Sequence, residues 1–131
     1  MNLNLLEPNA SYDLVHGRPS TFQRDNDGSY LYRYNIAPQM RVPEGGDEET
    51  QVGWQCREIR IWEKPTKSTL KKAIIRSILD DSAEFDIINS YNKHTLKIKV
   101  DNAAVTAYIQ YLQFTEDLDD MLVVDFENFN L

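Results

Sequence analysis

The chain has 131 residues, a formal net charge of −7, 41% hydrophobic and 27% charged side chains, so one core can be filled without disulfides or a metal, and wholesale disorder is excluded. Its single cysteine, Cys56, excludes an intrachain disulfide framework. No apolar run reaches the length of a transmembrane helix and the first six residues lack a signal-peptide layout, so the expected compartment is the cytoplasm.

Charge is segregated along the chain. Residues 1–50 sum to −4 and residues 51–100 to +4, while residues 101–131 hold no Lys or Arg and sum to −7. An acidic whole opposes non-specific binding to nucleic acid, which requires many phosphates to be neutralised. The basic middle and the acidic end are expected to lie near each other or near a partner's opposite charge.

In chain order, Leu3, Leu5 and Leu6 read as a brief edge strand or a peripheral turn. A short strand is expected at 12–15, broken by Gly17 and Pro19. Asp25-Asn26-Asp27-Gly28, between TFQR and SYLYRYNI, predicts a hairpin in which Gly28 takes a positive φ. In 29–36, Tyr30, Tyr32, Tyr34 and Ile36 alternate with Leu31, Arg33 and Asn35, the period of a half-buried strand. The tyrosine face should pack inward or against a partner, and Pro38 should end the strand. PEGGDEET, 43–50, reads as a solvated loop.

The rest of the chain is organised around residues 51–92. The strongest strand signal is 52–63, where Val52, Trp54 and Cys56 have one parity and Ile59 and Ile61 the other. Either a bulge near Arg57-Glu58 shifts the register or both faces are partly covered, and the second reading is preferred. Pro65 stops the sheet, and Thr66 or Ser68 can cap a helix by accepting a backbone N–H bond. Its apolar stripe is Leu70, Ala73, Ile74, Ser77 and Ile78, with Lys71, Lys72 and Arg76 on the other side. Asp81-Ser82-Ala83-Glu84 has the pattern of a capping box and opens a second helix to about Tyr91, burying Ala83, Ile87, Ile88 and Tyr91.

Leu96, Ile98 and Val100 then alternate with Lys97 and Lys99, which predicts an edge strand over 94–100. Asp101 or Asn102 caps a third helix over 103–114, with Val105, Tyr108, Ile109 and Leu112 inward and Thr106, Gln110 and Gln113 outward. The end, TEDLDDMLVVDFENFNL, reads as a strand through 121–124, as an arm docking on another subunit or partner, or as disordered chain. The expected fold class is α+β: a small antiparallel sheet with about three short helices packed on one face. The expected organisation is a single domain over 1–131, with a β-rich part at 1–50, a strand–helix–helix–strand–helix core at 51–115 and an acidic tail at 116–131.

No pattern carries a chemistry. His16 and His94 stand far apart, and no HExxH or CxxC motif occurs, so no metal site is expected. The acidic turn at 25–28 lacks the later Glu of a calcium loop. Gly45-Gly46 is not followed by the residues of a phosphate grip, and no GxSxG elbow is present. No catalytic residue, cofactor or small-molecule substrate is assigned. The residues suited to a protein interface are Tyr30, Tyr32, Tyr34, Trp54, Trp62, Arg76, Phe126 and Phe129, since aromatics and Arg dominate contact hot spots. For nucleic acid the cations would be Arg57, Arg60, Lys71, Lys72, Arg76, Lys97 and Lys99, within the basic segment 57–99.

Residues 54–92, WQCREIRIWEKPTKSTLKKAIIRSILDDSAEFDIINSYN, resemble small prophage-encoded proteins of Bacteroides-type gut bacteria, and the layout of that group continues to Gln113. The resemblance rests on Trp62, Pro65, Thr66, Ala73, Ile74, Ile75, Arg76, Ala83, Glu84, Phe85, Ile88 and Asn89. It implies a virion accessory or tail-assembly helper: a non-enzymatic module that binds a protein partner or its own copies and carries no catalytic residues. Arg76 and Glu84 could equally bridge the first two helices. The alternatives are a small nucleic-acid-associated phage protein using the basic segment, and an enzyme whose site is not visible in the sequence.

Overall fold

Pro65 divides the chain by kind of structure. In the computed structural model, which describes residues 1–130, four strands precede it: β1 (Ala10–Asp13), β2 (Phe22–Arg24), β3 (Tyr30–Arg41) and β4 (Thr50–Ile61). Three helices follow it: α1 (Lys67–Ile78), α2 (Asp81–Thr95) and α3 (Asn102–Asn128). The fold is α+β, with one antiparallel sheet in the order β1-β4-β3-β2. The chain forms two units, Leu6–Pro65 and Thr66–Leu131 with Met1–Leu5. No helix among the described residues is long and apolar enough to cross a membrane.

In the sheet unit, the hairpin turn forms as its residues require. Gly28 has φ +87°, and the Asp25 N–H donates to the Ser29 carbonyl at 2.9 Å. Arg60 on β4 ties the turn down through Asp25 at 2.6 Å and through the Ser29 hydroxyl. β4 runs as one strand with both faces covered in part: Cys56 is buried on one face, and Ile59 and Ile61 are buried on the other. No bulge lies at Arg57-Glu58. The register shifts instead between Tyr34 and Ala37 of β3, and shifts again between Gln39 and Met40. Asn35 sits at the first shift with φ +52°, the left-handed conformation that Asn tolerates better than most residues.

β3 does not end at Pro38, which pairs with Trp54. β2 reaches only Tyr30–Tyr32 of β3, so by Pro38 that side of the strand is an edge, where a missing N–H removes no ladder bond. Gly53 of β4 is required by close packing, because a Cβ there would meet the Tyr12 carbonyl oxygen of β1.

In the helical unit, Thr66 caps α1 and exchanges hydrogen bonds with Thr69. The cap of α2 is Asp80, whose carboxylate accepts the Ala83 N–H at 2.7 Å. α2 runs four residues past the expected Tyr91, to Thr95. It has no fully buried side chain; Ala83, Ile87, Ile88 and Tyr91 are half-buried. Tyr91 stacks on Tyr108 of α3 with ring centroids 4.3 Å apart.

Two expectations are corrected here. Residues 94–100 are not a strand. Lys97 takes φ +59°, and its N–H donates to the His94 carbonyl while the Ile98 N–H donates to the Lys93 carbonyl. This double closure is a Schellman cap on α2. The third helix does not stop near 114, and its tail is neither strand nor arm. α3 continues through 27 residues, about 40 Å at 1.5 Å per residue. Neither Pro nor Gly interrupts it, and Phe114, Leu118, Leu122 and Phe126 recur at four-residue spacing and are buried. The stripe is therefore rotated from the expected one. Ile109 and Leu112 face outward, at 60% and 46% exposure.

Candidate functional site

Three places combine unusual chemistry with defined geometry. The first is Arg33, 3% exposed on β3. Its Nε donates to the Tyr12 hydroxyl at 2.9 Å and to Glu58 Oε2 at 3.0 Å. Nη1 donates to the Ser20 carbonyl at 3.0 Å and Nη2 to Gln23 Oε1 at 2.7 Å. The guanidinium lies 4.7 Å from the Tyr12 ring centroid, and the Tyr12 hydroxyl in turn donates to Glu58. One cation thus links all four strands and the loop before β2.

Beside Arg33 is a hollow of about 190 Å³ that also touches Asp13 and His16. Acid–base groups meet there, yet they are arranged for support. Every guanidinium nitrogen points at a protein acceptor. Burial and the Glu58 hydrogen bond push the Tyr12 phenol up. The Asp13–His16 pair, 2.8 Å apart, has side chains 61% and 84% exposed. Among the described residues, no group of three or more His, Cys, Asp or Glu side chains is placed to hold a metal.

The second place is the junction of the three helices. Arg76 of α1 pairs with Glu84 of α2 at 2.8 Å and also with Asp81. The Tyr111 hydroxyl of α3 donates to the other Glu84 oxygen at 2.5 Å. The Arg76 and Tyr111 hydrogen bonds hold the Glu84 carboxyl below its ordinary value. Burial, then the Glu84 hydrogen bond, push the Tyr111 phenol up to about 12.

The signs give a testable pH dependence. The depressed Glu84 value contributes stability that is present above the ordinary carboxylate range and is lost as pH falls through the folded value. The raised Tyr111 value contributes stability that is lost as pH rises from its ordinary 10 towards about 12. Glu84→Gln is expected to lower the melting temperature at neutral pH and flatten its acid decline. Tyr111→Phe should remove a phenol titrating near 12 from the ultraviolet absorbance. An unchanged acid slope in Glu84→Gln would refute the carboxylate's part.

The third place is the turn between α2 and α3. Leu96, Ile98 and Val100 are 69%, 71% and 69% exposed. Lys93, Lys97 and Lys99, all exposed, surround them. Behind the turn is an open depression of about 500 Å³ that includes Tyr91, His94 and Val105. His94 Nδ1 accepts the Asp101 N–H at 2.9 Å, fixing the turn to the cap of α3. Sequence reading assigned these aliphatics to a strand. The signal against a strand was spacing: a helix reaching Thr95 and a cap at Asp101 leave five residues between them.

The residues expected at an interface scatter. Tyr32 and Tyr34 are 1% and 2% exposed and Phe126 is 7% exposed, so the folded chain does not present them. Tyr30 is half-buried, with Arg24 over its ring. Trp54 is half-buried, and its indole N–H is buried with no acceptor among the described residues. Arg76 belongs to the helix junction. Trp62 and Phe129 are the exposed pair, at 70% and 45%. Of the seven cations considered for nucleic acid, four have internal partners. Arg57 donates to the Glu7 carbonyl, Arg60 pairs with Asp25, Lys71 with Asp119 and Arg76 with Glu84.

No family model, curated protein or solved structure matches the chain.

Proposed function

We propose that the chain is a non-enzymatic protein–protein interaction module whose contact surface is the α2–α3 turn. The observation that carries this reading is the exposure of Leu96, Ile98 and Val100 in one five-residue turn. Apolar side chains grouped on a surface mark sites that another surface covers, and each Å² covered contributes about 25 cal/mol. The surrounding lysines give that surface a charge preference. The prophage-assembly setting is carried by the resemblance over residues 54–113 alone, and a cytoplasmic location by the sequence expectation. The nucleic-acid alternative is left chiefly with Lys72, Lys97 and Lys99, a small set for a phosphate backbone.

The test is Ile98→Asp. At 71% exposure the substitution should leave the circular dichroism spectrum and melting temperature unchanged. It should weaken capture of the partner at least about tenfold, the scale of one contact worth about 1.4 kcal/mol. The partner is identified by mass spectrometry after capture by the wild type, then recombined as a purified protein with both forms. Equal binding by wild type and Ile98→Asp would sink the assignment of this turn.

A further inference from the structure

Building on that reading, we infer that the α2–α3 turn docks on a second copy of this chain, against the acidic outer stripe at the far end of α3. Glu116, Asp120, Val123, Val124 and Glu127 are all exposed. Their spacing of four, three or four, and three or four residues places them on one side of the helix. Val123 and Val124 are 40% and 53% exposed. The stripe therefore offers three carboxylates around two aliphatics. The turn offers Lys93, Lys97 and Lys99 around Leu96, Ile98 and Val100. None of these six charged side chains has an ion pair among the described residues.

The two patches cannot satisfy each other within one chain. The turn is fixed to the first residue of α3 by the Asp101 cap. The stripe begins roughly 20 Å along the same continuous helix and ends nearly 40 Å along it. A helix holds its two ends apart, so only another molecule can bring a turn to a stripe. An antiparallel two-fold pair seats each copy's turn on the other's stripe and closes at two copies, whereas a head-to-tail arrangement gives a ring or an open filament. Five or six residues a side make a small contact, which corresponds to a dissociation constant on the order of 100 µM. Exposed charges make it sensitive to salt.

The experiment is sedimentation velocity on the full chain across a concentration series at low and high salt. The average mass should rise from that of a monomer to that of a dimer or a larger assembly at low salt and fall back at high salt. Lys97→Glu with Lys99→Glu puts acid on both patches. Asp120→Lys with Glu127→Lys puts lysine on both. Each variant alone should self-associate at least about tenfold more weakly. Mixed in equal amounts they should associate again, because every contact between the two variants pairs opposite charges. Circular dichroism checks that both variants fold.

A wild type that stays monomeric at low salt overturns the inference. So does a mixture of the reversed variants that stays monomeric. Binding of the turn only to vesicles of anionic phospholipid overturns it too. If self-association fails while Ile98→Asp still abolishes capture of a different, identified protein, the interaction reading stands and the self-docking falls. If both fail, the turn is no contact surface.

Discussion

Arg33→Met is expected to lower the stability of the sheet unit by roughly 3 kcal/mol, the low end of the range for breaking a buried ion pair. The low end applies because Glu58 keeps 25% of its side-chain surface in water while Arg33 keeps 3%. The substitution leaves the Gln23 side-chain Oε1 and the Ser20 backbone carbonyl without their Arg33 donor and Glu58 with the Tyr12 hydroxyl but no cation, and each loss adds to the cost. Methionine retains much of the packing volume, so the loss reads electrostatics and hydrogen bonding more than a cavity. Trp54 and Trp62 both lie in Leu6–Pro65, so tryptophan fluorescence during urea unfolding reports on this unit. Adding Glu58→Gln to Arg33→Met should recover part of the loss, because the uncompensated carboxylate is then removed. A loss below about 1 kcal/mol, the scale of a solvent-exposed pair, would show that the network does not hold the strands.

That network shows where sequence reading stops. The alternation in residues 29–36 placed Tyr30, Tyr32 and Tyr34 on one side and Leu31 and Arg33 on the other, and the sheet has that division. Period-two patterning does not say whether the second face is buried as well, and an Arg on it looks solvated. The clue is a long-range pairing: Glu58 is the one acid of β4, and the β3–β4 register sets it opposite Arg33. Local signals did better. The Asp-Gly hairpin and the Thr66 cap follow from residues adjacent in sequence. The α2–α3 turn misled because a Schellman cap followed by an Asp cap can leave aliphatics alternating with lysines by chance of spacing. Lys97 stands where Gly is the usual residue, which removed the expected marker of a helix end. The tail misled because acids are interspersed among its apolar residues, although Leu118, Leu122 and Phe126 keep helical spacing beneath them.

Removing residues 116–131 is expected to unfold the helical unit rather than trim an arm from it. Leu118, Leu122 and Phe126 are 0%, 1% and 7% exposed. Burial of each such side chain stabilises by about 1.5–3 kcal/mol, and three together approach the net stability of a whole domain, about 5–15 kcal/mol. The deletion also removes Asp119, the partner of Lys71 on α1 at 2.8 Å. Leu118→Ala alone should lower stability by about 2–5 kcal/mol. The control is Glu116→Gln with Asp120→Asn and Glu127→Gln, which changes only exposed acids and should leave the melting temperature nearly unchanged. Far-UV circular dichroism distinguishes the cases: the truncated chain should lose most of its helical signal and its cooperative melt, while the neutralised chain keeps both. A truncated chain that melts like the wild type would make the end of α3 a detachable arm, and the buried stripe would then contribute little. With the stripe in the core, truncation disrupts the unit that carries both proposed docking patches. Loss of a partner on truncation would then report unfolding, and only point changes at Ile98, Lys97, Lys99, Asp120 and Glu127 separate contact from collapse.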